Sequence, residues 1–190
     1  MNEKEIIETC LNGSVDAFET LVEHYQSRVI ALAWNILGDP DEARDTAQDT
    51  FIQAFKNLHR FDINRNFKTW LMAITVKRAF DRIRKQKSFL KYFKHHSETS
   101  DFHAPAACRT IEDSEIFQPL LKTLTKKERT AVSLKINEDY SAREIAHVLN
   151  CSDATARVYL FKAKKKLKKA LSSAPETGTA ASLTRCSHVL

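Results

Sequence analysis

The sequence predicts an all-α protein made of two small helical domains joined by a flexible linker. Three observations carry that expectation. Glycine (3) and proline (4) are scarce among 190 residues, which leaves little material for irregular structure. Apolar residues recur at helical spacing in one segment after another, most of them opened by a capping residue. Between Ser88 and Asp113 that periodicity stops. About 25 residues is long for a loop inside a compact domain and marks a boundary. The domains are therefore expected at 1–87 and 114–171, with a linker at 88–113 and a small, polar, disordered tail at 172–190.

Residues 3–11 read as a short acidic helix ending near Asn12-Gly13. Ser14 or Asp16 can cap the next helix, whose stripe of Phe18, Leu21, Val22, Tyr25, Val29, Leu32 and Ile36 runs to about Leu37. Gly38-Asp39-Pro40 breaks it, and Asp41 and Glu42 suit the first turn of a third helix over about 40–58. In that helix Ala43, Ala47, Phe51, Ala54 and Leu58 fall within about 80° of one another and face the core. Asp45, Gln48, Asp49 and Ile52 lie on the opposite side. An outward isoleucine among two carboxylates and an amide has the make-up of a protein-binding patch, although a single exposed isoleucine is also ordinary.

The polar loop His59–Arg65 leads into Asn66–Lys87, the stretch around which the chain is organised. Phe67, Trp70, Leu71 and Ile74 form one apolar stripe, and Met72, Val76, Phe80 and Ile83 a second on roughly the opposite side. Two apolar faces predict a helix wedged between others. Its second half carries Lys77, Arg78, Arg82, Arg84, Lys85 and Lys87 against one acid, Asp81. Such a helix can present its far end to phosphates; a core helix with a solvated basic tail fits equally well. Phe89, Leu90, Tyr92 and Phe93 either extend it by a turn or form a docking segment.

The second domain begins with an entry helix through Ile116, Phe117, Leu120, Leu121 and Leu124, with Pro119 confined to its first turn. Thr125-Lys-Lys-Glu128 and Ser141-Ala-Arg-Glu144 are capping boxes, each opening a helix. Asn150-Cys151 turns the chain and Ser152 caps a last helix to about Leu171. Two helices across a short turn, the second strongly basic, define a helix-turn-helix. In the last helix Ala156, Leu160, Ala163, Leu167 and Leu171 mark the buried face. That phase turns Val158, Phe161, Lys162 and Lys165 outward, with Arg157 and Tyr159 on the shoulders. Apolar side chains on an exposed basic helix find a partner in a thymine methyl, and Arg157 suits a bidentate guanine contact.

Charge is unevenly placed. Residues 1–63 carry five Lys/Arg against twelve Asp/Glu, while cations concentrate at 65–87 and 157–169. That distribution predicts two nucleic-acid contacts and a different partner for the acidic part. No apolar run approaches membrane-spanning length and the start is not a signal peptide. A cytoplasmic protein is expected, with Cys10, Cys108, Cys151 and Cys186 as free thiols and Cys151 as a small buried residue. His95, His96, His103 and Cys108 fit no standard zinc-finger spacing and are read as part of a solvated linker. No catalytic constellation and no Walker-type loop stand out, so neither an enzyme nor a cofactor is expected.

Asp41-x-Ala43-x-Asp45-x-x-Gln48-Asp49-x-Phe51, followed by Phe67-x-x-Trp70-Leu71-x-x-Ile74, resembles conserved region 2 of bacterial RNA polymerase sigma factors. A region-4-like helix-turn-helix follows the linker with no intervening domain, which resembles the extracytoplasmic-function (ECF, group IV) class over residues 14–171. The resemblance implies that Asp45, Gln48, Asp49 and Ile52 meet the clamp helices of the polymerase β′ subunit. Arg60, Phe61, Asn64, Arg65 and Asn66 would capture unstacked bases of the minus-ten element, with Lys77 at the pocket. Phe61 and Asn64 are better placed for this than Trp70, which shares a stripe with Phe67. Arg78, Arg82, Arg84 and Lys85 would meet the duplex just upstream. Ser152, Thr155, Arg157, Val158, Tyr159, Phe161, Lys162 and Lys165 would read the minus-thirty-five element, the β flap would be a second polymerase contact, and an anti-sigma factor is an implied partner. The family often has asparagine at Lys77 and commonly Ser-Arg at Val158-Tyr159. The alternative reading is a helix-turn-helix regulator whose front domain dimerises or senses a ligand.

Overall fold

The computed structural model describes residues 2–93 and 120–172, and the chain divides into two compact units, Met1–Ala106 and Ala107–Leu190. Among the described residues there are helices and no strands. The first unit contains α1 (Glu3–Leu11), α2 (Val15–Leu37), α3 (Pro40–Asn57), a 3-10 turn (Leu58–Arg60) and α4 (Phe67–Phe93). The second contains α5 (Lys126–Glu138), α6 (Ala142–Val148) and α7 (Asp153–Ser172), preceded by a helical turn at 120–122.

The helix starts follow the capping residues. Ser14 Oγ accepts from the Ala17 N–H at 3.3 Å and Asp39 Oδ1 from the Glu42 N–H at 2.8 Å, satisfying donors that the first turn leaves open. Gly38 ends α2 at φ 79°, its N–H donating to the Trp34 carbonyl at 2.7 Å. A left-handed cap of this kind favours glycine. Asn66 caps α4, its Oδ1 accepting from the Thr69 N–H at 2.9 Å.

The core of the first unit lies where α2, α3 and α4 pack together. Ala43, Ala47 and Ala54 of α3 are buried, and their short side chains let the helices approach closely. Phe51 is only half-buried, while Thr46 and Thr50, absent from the expected stripe, are fully buried. Thr50 is accommodated because its hydroxyl donates to the Thr46 carbonyl at 2.7 Å. The two apolar stripes expected on α4 are a single arc. Phe67, Leu71, Met72, Thr75, Val76 and Ala79 are buried, whereas Trp70, Ile74, Phe80 and Ile83 are half-buried. Those six positions span about 180° of the helix, because α2 and α3 flank α4 on adjoining sides. The helix runs past Lys87 to Phe93, so 88–93 extends it.

In the second unit Leu121, Leu124, Val132, Ala163 and Leu167 form one core cluster, with Leu120 and Ile136 packed against it, and Leu134, Ile145, Val148 and Ala156 are buried as well. Both capping boxes are present: the Thr125 N–H donates to Glu128 Oε2 and the Ser141 N–H to Glu144 Oε2, each at 2.8 Å. Asp139 and Asn150, at φ 52° and 48°, turn the chain after α5 and after α6. Cys151 is half-buried rather than buried. Pro119, Ile116, Phe117, Cys108, Cys186 and most of the expected linker and tail lie outside the described residues.

Candidate functional site

On α3 the outward face is as its periodicity required: Asp45, Gln48, Asp49 and Ile52 are exposed, Ile52 by 53%. Phe55 is also exposed and belongs to the same surface, its ring edge-on to Phe18 at 5.0 Å. The sequence reading missed it, although Gln48, Ile52 and Phe55 follow i, i+4, i+7 spacing.

The loop from Arg60 to Asn66 is organised by Asp62, another residue that the sequence reading passed over. Its carboxylate accepts from the Asn64 N–H at 3.0 Å, its carbonyl accepts from the Arg65 N–H at 2.9 Å, and Arg65 Nε lies 3.6 Å away. The result is a short turn that leaves Arg60, Asn64 and Arg65 exposed. Asn66 is exposed, with one side-chain atom committed to the cap of α4. Phe61 is the correction. Its ring is buried against Phe67 (5.4 Å) and Trp70 (5.1 Å), while Trp70 is the half-exposed member of the cluster. Phe61 therefore holds the loop on the core, and Trp70 is the ring with an accessible edge.

The cations of α4 are not equivalent. Lys77 and Lys85 are exposed and have no ion pair among the described residues. Arg84 pairs with Asp81 at 3.2 Å, and Arg78 donates to the Gln53 side-chain oxygen. Arg82 bridges to α3, where it meets Glu42, Asp45 at 2.7 Å and Asp49 at 3.7 Å. A cleft of about 490 Å³ opens here, with Glu42 and Asp49 on one wall and Arg78, Arg82 and Lys85 on the other. Its mixed charge suits protein or phosphate groups rather than an apolar ligand.

In the second unit Ala156, Ala163 and Leu167 are buried and Leu160 half-buried, so α7 has the expected phase; Leu171 has no described side chain. Val158 (46% exposed), Phe161 (69%), Arg157, Lys162 and Lys165 face outward. Arg157 lies 3.8 Å from Asp153, one turn earlier. Tyr159 turns instead toward α5, where Lys127 sits over its ring at 5.8 Å. Ser152 Oγ accepts from the Thr155 N–H at 3.2 Å and lies 2.8 Å from the Thr155 hydroxyl, so both side chains serve the cap of α7. Arg143, which the sequence reading did not single out, is exposed on α6.

One buried acid ties this unit together. Glu128 is almost fully enclosed at the start of α5, yet pairs with Lys166 of α7 at 2.7 Å. Burial raises its carboxyl pKa, but hydrogen bonds from Lys166 and Thr125 outweigh that and hold it below the ordinary 4.5. The stabilisation from a depressed carboxylate is complete above the unfolded value and is lost as pH falls through the folded one. Glu128→Gln keeps the capping-box geometry while removing the charge. At neutral pH it should cost about 1 kcal/mol, and its urea-unfolding curve should converge on wild type only as pH falls through the lowered folded value. Parallel curves across that range would show that the charge contributes nothing.

No group of three or more His, Cys, Asp or Glu side chains able to hold a metal is found among the described residues. His95, His96, His103 and Cys108 lie outside them. No helix of the described residues is long and apolar enough to cross a membrane.

Comparison with known proteins agrees with this arrangement. Residues 21–89 match Sigma-70 region 2, and residues 114–167 match Sigma-70, region 4. The ECF RNA polymerase sigma factor SigW of Bacillus subtilis is 32% identical, the match covering 88% of this chain and 96% of that protein. The RNA polymerase sigma-H factor of Pseudomonas aeruginosa is 28% identical over 89% and 93%. The solved sigma factor RpoE of Bartonella quintana, in complex with the anti-sigma factor NepR, shares the fold at a TM-score of 0.70. That likeness has 22% identity and covers 85% of this chain and all of that one. The chain belongs to the ECF family of RNA polymerase sigma factors. As a sigma factor it directs transcription initiation.

Proposed function

We propose that the exposed α3 face, Asp45, Gln48, Asp49, Ile52 and Phe55, docks on the β′ clamp helices of core RNA polymerase, and that the two units read the two promoter elements. The carrying observation is the juxtaposition on α3 of exposed carboxylates with exposed apolar side chains, in the unit that also bears the basic end of α4. A face of this make-up fits a partner helix with basic and apolar residues.

Melting proceeds without nucleotide hydrolysis by trapping bases that have left the stack. Asn64 and the accessible edge of Trp70 hold them, while Arg60, Arg65 and Lys77 hold the backbone. Each base trapped on an aromatic ring recovers about 1–3 kcal/mol, comparable with the unstacking cost. Arg78, Arg82, Arg84 and Lys85 follow the upstream duplex. In the second unit Arg157, Val158 and Phe161 read base edges, Lys162 and Lys165 meet phosphates, and Arg143 on α6 meets the backbone, as the first helix of such a motif does. The same unit contacts the β flap. The chain acts in the cytoplasm, and an anti-sigma factor restrains it, as the Bartonella relative is held in complex with one.

The test is transcription in vitro from a cognate promoter with core polymerase, with and without this protein. Asp49→Lys places a repulsive charge on the docking face and should abolish retention on immobilised core at physiological salt while leaving helix content unchanged. Wild-type retention would remove α3 from the interface. A helix-turn-helix regulator would instead bind its site as a dimer and give no core-dependent initiation.

A further inference from the structure

We propose that Glu42, Asp45 and Asp49 hold Arg82 away from DNA in the free protein, and that a cationic partner surface on α3 releases it. The inference rests on the reading that α3 docks polymerase and deepens it: the same carboxylates serve both contacts.

The geometry is specific. Glu42, Asp45 and Asp49 are spaced i, i+3, i+7 and so line one edge of α3. Arg82 reaches across from α4 and gives Nε to Glu42, Nη2 to Asp45 and Nη1 to Asp49. All three guanidinium nitrogens therefore face carboxylates. A phosphate requires the same planar fork, so Arg82 cannot engage both at once. Its side chain is only 25% exposed, whereas Asp45 and Asp49 keep more than half of their surface in solvent. A partner thus meets the acids first. Ion pairs among partly exposed groups are individually weak, so a cation docking on Asp45 and Asp49 can compete for them. Arg82 would then keep Glu42 alone, in the mixed-charge cleft that it shares with Arg78 and Lys85. The half-buried, carboxylate-bound Arg82 thus differs from Lys77 and Lys85, which are exposed and have no ion pair among the described residues. Polymerase binding and duplex binding are coupled through one side chain.

The test measures the salt dependence of binding to a fluorescently labelled duplex of mixed sequence by anisotropy, using the full-length chain. Without polymerase, Asp45→Asn should tighten binding and steepen the log–log salt slope by about one. One such contact multiplies the affinity lost between 50 and 200 mM salt about three- to fourfold. In an Arg82→Gln background the same substitution should give only the small gain seen on neutralising an acid remote from the clasp, Glu19→Gln. Arg82→Lys, which keeps a charge but cannot span three carboxylates, is the second background should Arg82→Gln melt early, and the gain must shrink there too. A full gain in both backgrounds overturns the clasp. In the second arm, Arg82→Gln should leave the slope of the free protein unchanged and lower that of the holoenzyme by about one. Equal changes in both would overturn release by the partner. The first arm uses no polymerase, so its failure removes the clasp and leaves docking intact. Loss of docking would appear instead as normal core retention by Asp49→Lys, with the first arm unaffected.

Discussion

Replacing Phe67 by alanine is expected to lower the stability of the first unit by about 3–5 kcal/mol, enough to unfold a small domain of ordinary stability. Phe67 is 1% exposed and touches three rings at once: Tyr25 of α2 at 5.7 Å, Phe61 of the loop at 5.4 Å and Trp70 at 5.5 Å. Its loss leaves a cavity at the junction of a helix start, a neighbouring helix and the loop. Both tryptophans, Trp34 and Trp70, lie in this unit, so denaturation followed by tryptophan fluorescence reports on it alone. A shift below about 1 kcal/mol would mean that the aromatic cluster contributes little to the stability of this unit. Under the proposed reading the same variant should also open promoters poorly at temperatures where it remains folded, because Phe61 loses the surface that holds the loop in place.

Arg157→Ala should weaken binding to the preferred minus-thirty-five site by about 1–3 kcal/mol and relax the preference at one base pair. Arg157 is exposed in the second turn of α7, where base edges are read in this motif. Among the described residues it pairs only with Asp153, at a loose 3.8 Å, so reaching DNA costs little. Lys165→Ala should weaken all sequences about equally and lower the salt slope by about one. Selection from a randomised duplex library separates these outcomes. Retention of the full wild-type sequence preference by Arg157→Ala would end its assignment as a base reader.

Much of the fold was legible because local rules decide helix ends. Ser14, Asp39, Thr125, Ser141 and Ser152 each cap the helix they precede, and the phase of α7 followed from five apolar positions. What the sequence hid depends on the third dimension. Two stripes on α4 looked opposed because periodicity gives angles but not the positions of the helices that cover them. Thr46 and Thr50 fell outside the expected stripe because apolar periodicity does not count hydroxyl residues, although Thr50 can be buried by bonding its own helix. Phe61 and Trp70 exchanged roles because spacing cannot say which of two neighbouring rings turns inward. The contact of Arg82 with α3 spans about forty positions of chain, and nothing in a local pattern announces it. The family resemblance places Asn66, Ser152 and Thr155 at DNA, and each also has a capping role, which for Ser152 the sequence announces and for Asn66 and Thr155 it does not.

The unbroken course of α4 has a metric meaning. An α-helix rises about 1.5 Å per residue, so Phe67 and Lys85 stand roughly 27 Å apart on one rigid rod. Duplex DNA advances about 3.4 Å per base pair, which makes that interval roughly eight base pairs. Under the proposed reading, the place where bases would be taken out of the stack and the last phosphates gripped upstream are therefore set apart by a ruler, not by a tether. Adding one residue between Ile74 and Lys77 would move the far end by only about 1.5 Å but rotate it by about 100°, carrying Arg82 away from α3 and the cations off their shared bearing. On that reading promoter geometry in this unit is a question of helical phase, and a chain of the same composition with a hinge at that point would lose it.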